Sequence, residues 1–378
     1  MKLLADQAIP GIKSLFTTDD MDCQQLPAEQ INAAALENVD ILWVRSVTKV
    51  APALLANSAV RFVGSCTIGV DHIDLEYLQQ QDIAFAHAPG CNAVAVSEYV
   101  LQSIARYAVE LDLKWSQLCV GIIGWGNVGH AVSGLLDALQ IDYRVYDPPL
   151  QAISSRSPKN GWASLDETLA ANVITLHVPL TTSTRQLLNA EQLQKISPLS
   201  LIINTSRGEV LDEVALFEHF SPAHFYLAMD VFSQEPAIDS RWLCYAWQMT
   251  PHIAGHSERG KWRGSEMVYD ALQTWLKTQG KHLAERHQDY APPLQQIDFA
   301  GSEINAPILY QLIQQVFDLS ETDKALRKVI AQRLPIADVF RQARADYIPR
   351  REFRDCMLAS KEPHALLSRL GFQDLIQS

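Results

Sequence analysis

An α/β fold is predicted for this chain by three observations. Short apolar runs alternate with helical patterns through most of its length, and a glycine triplet joins one such run to one such helix. A chain of 378 residues with 48% hydrophobic content also exceeds what one core can organise, so two or three domains are expected.

The elements follow in order. Lys2–Leu4, Ile41–Val44, Arg61–Val63 and Ile83–Phe85 read as strands separated by helix-like segments, the pattern of a parallel sheet. Residues 1–92, completed by 256–284, are expected to form a flavodoxin-like substrate domain. Asn92, after the Ala88-Pro89-Gly90 turn, is placed to cap a helix running to about Leu111 that carries the chain into a second domain, residues 93–255.

There, Leu118–Ile123 reads as a buried strand, followed by a glycine turn and a helix with Val128, Val132, Leu135, Leu136 and Leu139 on one face. Asp142–Tyr146, Val173–His177, Leu201–Asn204, Phe225–Met229 and Trp247–Met249 bring the count to six strands, a complete Rossmann-type doubly wound sheet. Ser164-x-x-Glu167 resembles a capping box. The pattern turns helical again over Gly260–Leu276, and the polar stretch from Glu285 to Pro293 reads as a linker. Residues 285–378 are expected to form a smaller, helix-rich α+β domain, with helical patterns at Glu303–Phe317 and Glu321–Gln332 and an arginine-rich stretch from Arg341 to Arg354. Such arginines are usually solvated.

Charge and cysteine usage narrow the function classes. With 31 Lys and Arg against 43 Asp and Glu, the net charge of −12 argues against a broad electrostatic grip on nucleic acid or an anionic membrane. The start, Met1 to Asp6, lacks a long apolar run, and no stretch reaches the ~20 apolar residues that span a bilayer, so a cytoplasmic protein is expected. Cys23, Cys66, Cys91, Cys119, Cys244 and Cys356 are scattered with no C-x-x-C pair, so neither disulfides nor a metal site is expected.

The glycine turn Gly124-Trp125-Gly126-Asn127-Val128-Gly129 fits a dinucleotide. Its first glycine permits the tight turn, the second admits a pyrophosphate, and the third lets the helix pack on the strand. The helix N-terminus at Asn127 and Val128 then offers N–H groups to phosphate. Asp147 ends the next strand 23 residues after Gly124, where a carboxylate accepts from a ribose diol and repels a 2′-phosphate. NAD is therefore the expected cofactor rather than NADP. Thr175 and Asp230, at strand ends on the ligand side, are further candidates.

Oxidising a hydroxyl beside a carboxylate needs a cation to hold the acid and a base to take the proton. Arg207, in Asn204-Thr205-Ser206-Arg207-Gly208, offers a planar fork for a carboxylate. His252, in Thr250-Pro251-His252-Ile253-Ala254-Gly255-His256, titrates near working pH, and Glu235 is placed to fix its tautomer and favour its protonated form. Each alone is more simply a surface or loop residue; together they specify a chemistry.

From about residue 60 to 260, these motifs resemble the D-isomer-specific 2-hydroxyacid dehydrogenases. The resemblance implies Arg207 in substrate binding, Glu235 as the partner of the histidine, His252 as proton acceptor and Asp230 on the nicotinamide carboxamide; Gly255 joins the cofactor set. The first domain and the tail, through Val44–Val50, Phe62–Asp74 and Gly90–Ala93, are similar to a branch that oxidises a small phosphorylated hydroxy acid between its two α/β domains and dimerises through an extra C-terminal domain. By that likeness Ser46 and Thr67 contact substrate, with Arg45 and Lys49 adding charge, and the chain is a homodimer. His256 stands where a substrate-contacting tyrosine is expected, so substrate binding gains a titrating group. Two rival readings are an enzyme for a shorter phosphorylated hydroxy acid, whose regulatory tail would alternate strands and helices, and an NADH-sensing transcriptional corepressor, which would need a partner-peptide groove.

Overall fold

Five strands build the first sheet: β1 (Lys2–Asp6), β2 (Asp22–Leu26), β3 (Ile41–Val44), β4 (Phe62–Ser65) and β5 (Ala84–His87). All pair in parallel in the order β2-β1-β3-β4-β5, the flavodoxin-like order. Central β3 and β4 are buried along their whole length, which is why they read as continuous apolar runs. Edge strand β2, DCQQL, has neither an apolar run nor apolar alternation and was not anticipated. The helix Glu258–Thr278 packs Val268, Tyr269 and Leu272 into a core with Trp43 and Phe62.

This computed structural model describes residues 1–16, 21–283, 290, 292–299, 303–332, 335–359 and 364–374. The chain divides into two compact units, residues 1–92 with 257–292 and residues 93–256 with 293–378. Most of the expected linker, Glu285 to Pro293, lies outside the described residues.

The second unit holds all six expected strands: β6 (Cys119–Ile123), β7 (Asp142–Tyr146), β8 (Val173–Leu176), β9 (Leu201–Asn204), β10 (Tyr226–Met229) and β11 (Gln248–Met249). They are parallel in the order β11-β10-β9-β8-β6-β7. Trp162 bridges to Val145 on the outer side of β7, so one residue pair stands where a further edge strand would run. The chain reverses direction across the sheet at β6, the switch point above which ligands bind in such folds. The helix Asn127–Leu139 follows β6 and buries Val132, Leu136 and Leu139, as its periodicity predicts. Ser164 and Glu167 form the expected capping box: Glu167 N–H donates to Ser164 Oγ at 3.2 Å, and Ser164 N–H to Glu167 Oε2 at 2.8 Å. Asn92 does precede the helix Ala93–Glu110, but its side-chain oxygen finds no donor among the described residues, so the anticipated cap does not form.

The tail carries a three-stranded parallel sheet, β12 (Gln295–Asp298), β13 (Cys356–Ala359) and β14 (Gln373–Asp374), and the helices Ala306–Val316, Leu319–Ile330, Ile336–Asp346 and Ala365–Leu370. It shares its core with the six-stranded part rather than standing apart, because Leu309, Ile313, Phe317 and Phe353 join Tyr99, Ile104 and Leu136 in one apolar cluster. Polar joints fasten the same seam. Gln102 Nε2 donates to Phe317 O at 2.7 Å while its Oε1 accepts from Leu319 N–H. Arg327 binds Asp323 and the carbonyls of Leu243 and Ala246, and Asp323 accepts from Met249 N–H. Among the described residues no helix is long and apolar enough to cross a membrane.

Candidate active site

The glycine turn sits at the carboxyl end of β6. Gly124 has φ +91°, open to glycine at little cost, and a Cβ there would press into the His177 carbonyl. A Cβ on Gly129 would overlap the Gly124 carbonyl oxygen, so the helix packs on the turn only because residue 129 has none. Gly126 is the opposite case: its Cβ direction is open space, leaving backbone accessible to a phosphate. Asn127 and Val128 begin the helix behind it. These features fit a dinucleotide.

Asp147 is placed as expected after β7, and its carboxylate has further duties. Oδ2 accepts from Trp125 N–H at 2.8 Å inside the turn, and Oδ1 accepts from Leu150 N–H at 3.0 Å, capping the short helix Pro148–Ile153. Thr175 is fully buried near the end of β8, its hydroxyl bonded to His177 Nε2 at 2.9 Å. Burial holds that imidazole neutral, lowering its pKa. His177 was missed by the sequence reading; its signal was its place just beyond a strand, two residues from a threonine.

The three residues expected to carry the chemistry lie on the loops after β9, β10 and β11, three adjacent strands. Asn204, the last residue of β9, shapes the first loop: its Oδ1 accepts from Ser206 N–H and Oγ, and its Nδ2 donates to Arg207 O at 2.9 Å. Arg207 Nη1 in turn donates to Ser206 O at 2.8 Å. Gly208 then lies so close to the Phe232–Ser233 backbone that any Cβ would overlap it, which brings the arginine loop against the glutamate loop. In that second loop Glu235 Oε1 accepts from Phe232 N–H at 2.9 Å, and Oε2 meets His252 Nδ1 at 2.7 Å. With Nδ1–H donated to the carboxylate, His252 Nε2 carries the lone pair a proton acceptor needs.

His252 itself has φ +57°, a left-handed conformation uncommon outside glycine. Its N–H donates to Asp230 O at 2.9 Å. Asp230, 1% exposed, holds the rest of the turn: Oδ1 accepts from Thr250 Oγ1 at 2.6 Å and Ile253 N–H at 2.7 Å, and Oδ2 from Ala254 N–H at 2.9 Å. Burial raises its pKa, opposed by the neighbouring His252 and by these hydrogen bonds. Tyr99 and Gln248 extend the buried network through Thr250. Gly255 follows on the turn, and His256 N–H donates to Ile253 O at 2.8 Å, with its ring 6.3 Å from that of Tyr347.

In the first unit, the candidates follow the carboxyl ends of β3 and β4. Ser46 is exposed; Thr67 is half-buried and shares a hydrogen bond of 2.8 Å with Ser65 Oγ, which also meets His72 Nε2 at 3.1 Å. Arg45 Nε donates to buried Asp6 at 2.9 Å, so its charge is anchored at the sheet end, whereas Lys49 is exposed.

The tail corrects one expectation. Arg350, from the stretch read as solvated, is 5% exposed, because it runs under the 252–256 turn, while Arg354 stays at the surface.

Comparison with known proteins adds an independent line. Residues 97–254 match the family described as D-isomer specific 2-hydroxyacid dehydrogenase, NAD binding domain, and residues 290–371 match a domain of unknown function. The chain is 35% identical to an erythronate-4-phosphate dehydrogenase of Marinomonas sp. over 98% of this chain and 99% of that one. It is 36% identical to one from Hahella chejuensis, over the same shares. Among solved structures, a D-lactate dehydrogenase from Aquifex aeolicus, complexed with NAD and lactic acid, matches 74% of this chain and 96% of its own with a TM-score of 0.59; at 23% identity that likeness speaks for the fold.

Proposed function

The chain belongs to the D-isomer specific 2-hydroxyacid dehydrogenases, in the group of erythronate-4-phosphate dehydrogenases, and on that premise we propose that it oxidises C2 of 4-phospho-D-erythronate with NAD, a step of vitamin B6 biosynthesis. The product is 3-hydroxy-2-oxo-4-phosphooxybutanoate. The observation that carries the reading is the 2.7 Å contact between His252 Nδ1 and Glu235 Oε2 on a loop pressed against that of Arg207.

Each residue has a separate task. The Arg207 guanidinium holds the C1 carboxylate and the C2 oxygen as carbonyl character develops there. His252 Nε2 takes the C2 hydroxyl proton, and Glu235 fixes the tautomer and stabilises the imidazolium that results. The glycine turn, Asp147 and Asp230 hold the cofactor, Asp230 with the one lone-pair direction its three hydrogen bonds leave, on Oδ2. NAD, when bound, supplies the hydride acceptor. Ser46 and Thr67 bond phosphate or sugar-acid oxygens of the substrate, Lys49 adds charge, and the His256 imidazole donates to phosphate.

The tail supports a homodimer, and the enzyme works in the cytoplasm; light scattering of the full chain tests the first assignment. The reaction is tested by following NADH absorbance with erythronate 4-phosphate and with 3-phosphoglycerate. Faster turnover of the former is expected; preference for the shorter acid would replace this substrate.

A further inference from the structure

Arg350 belongs to the tail, yet its guanidinium ends on the backbone that carries the proton acceptor. Nη1 donates to Ile253 O at 3.3 Å, and Nη2 donates to Ala254 O at 2.8 Å and to Ala95 O at 2.5 Å. Its own backbone N–H donates to His256 O at 3.2 Å, and its Cζ lies 4.4 Å from the centroid of the Phe317 ring. From the same two residues, the N–H groups of Ile253 and Ala254 point at the Asp230 carboxylate. The turn is thus gripped at its N–H ends by an anion and at its C=O ends by a cation, both almost fully buried.

We infer that Arg350 is a positioning residue for the oxidation: it locks the left-handed turn that aims His252 at Glu235. The inference rests on the role given to His252 above. Three physical points support it. A residue at φ +57° persists only where its surroundings over-determine it; here Asp230 ties both peptides that flank His252, and Arg350 ties the two peptides that follow them. A planar fork reaches three carbonyls at once, which a single ammonium does not. Charge-assisted hydrogen bonds in a buried setting are stronger and more directional than neutral ones. A plainer role, stapling the tail to Ala95, predicts a different outcome when the two residues are changed together.

The experiment is a double-mutant cycle in the full chain, with Arg350→Met and His252→Ala alone and combined. It reads kcat, KM for erythronate 4-phosphate and NAD affinity by protein fluorescence. Arg350→Met is expected to lower kcat about tenfold or more, since a misplacement of order 1 Å costs that much, with KM and NAD affinity within about twofold. In the His252→Ala background the same change should lower the residual rate less than about twofold. Equal losses in both backgrounds, or undiminished kcat in the single variant, would overturn the inference. If Arg350→Met loses NAD binding through misfolding, Arg350→Lys is carried through the same cycle and judged by the same two criteria. Wild-type turnover by His252→Ala would remove the functional reading itself, and this inference with it.

Discussion

The loops after β9, β10 and β11 and those after β3 and β4 both present polar side chains at the carboxyl end of a parallel sheet, but they are built in opposite ways. In the first set nearly every polar group is engaged: Asp230 accepts three hydrogen bonds, Glu235 uses both oxygens, and Asn204 uses its whole amide. In the second, Arg45 is tethered to Asp6 and Thr67 to Ser65, but Ser46 and Lys49 stand exposed. The difference follows from the tasks proposed for each. Moving a proton demands fixed angles and distances before the substrate arrives, whereas holding a phosphate demands hydroxyls and charge within reach. Substitutions should therefore break turnover in one region and loosen affinity in the other.

The largest effect belongs to His252→Ala, which should lower kcat by about 10² or more while NAD affinity, read by fluorescence titration, is unchanged. Next comes Asp230→Ala. It orphans buried donors at Thr250, Ile253 and Ala254, each costing about 1–3 kcal/mol, and thermal denaturation should show a fall in Tm of several degrees beside the loss of rate. Ser46→Ala should raise substrate KM about 2- to 10-fold, the worth of one hydrogen bond, with kcat and Tm unmoved. A collapse of kcat there would erase the contrast between the two regions.

The smallest effect sharpens the comparison from behind the catalytic loops. Glu98, at the seam with the tail, accepts from Phe353 N–H at 2.8 Å, and its pKa is raised well above the ordinary carboxylate range by burial and then by the nearby Glu352 charge. A carboxyl whose folded pKa lies above its unfolded value adds stability that is complete below the unfolded pKa and is lost as pH climbs through the folded one. Glu98→Gln should accordingly leave Tm little changed at acid pH and raise it relative to wild type as pH rises, read by thermal denaturation across pH 5–9. A constant difference across that range would show that Glu98 does not titrate there.

Much of this was legible from residue order. The central strands after residue 118 were readable because parallel strands covered on both faces are apolar throughout, the edge strand β7 because DYRVY alternates, and the glycine positions because each has one steric reason to be glycine. The pairing of Glu235 with His252 was anticipated as plausible chemistry and as what the family resemblance implies. Three things were hidden. Strands β2, β12 and β14 lie at sheet edges, where polar sequences such as DCQQL and QQID pair through backbone without an apolar signature, and the central tail strand β13, CMLA, is too short an apolar run to tell from helix. Asp230 was read as a cofactor contact, and its hold on the 252–254 turn depends on hydrogen bonds across more than 20 residues. Arg350 was hidden because periodicity sorts apolar from polar and says nothing of a charge buried on carbonyls.

In the role proposed for it, Asp147 links two properties that engineering usually treats as separable. Exchanging this residue is the obvious way to make such an enzyme accept a phosphorylated coenzyme. Here the exchange also cuts the strut to Trp125 and the cap on Pro148–Ile153. A redesign would have to rebuild the loop before it could retune the preference.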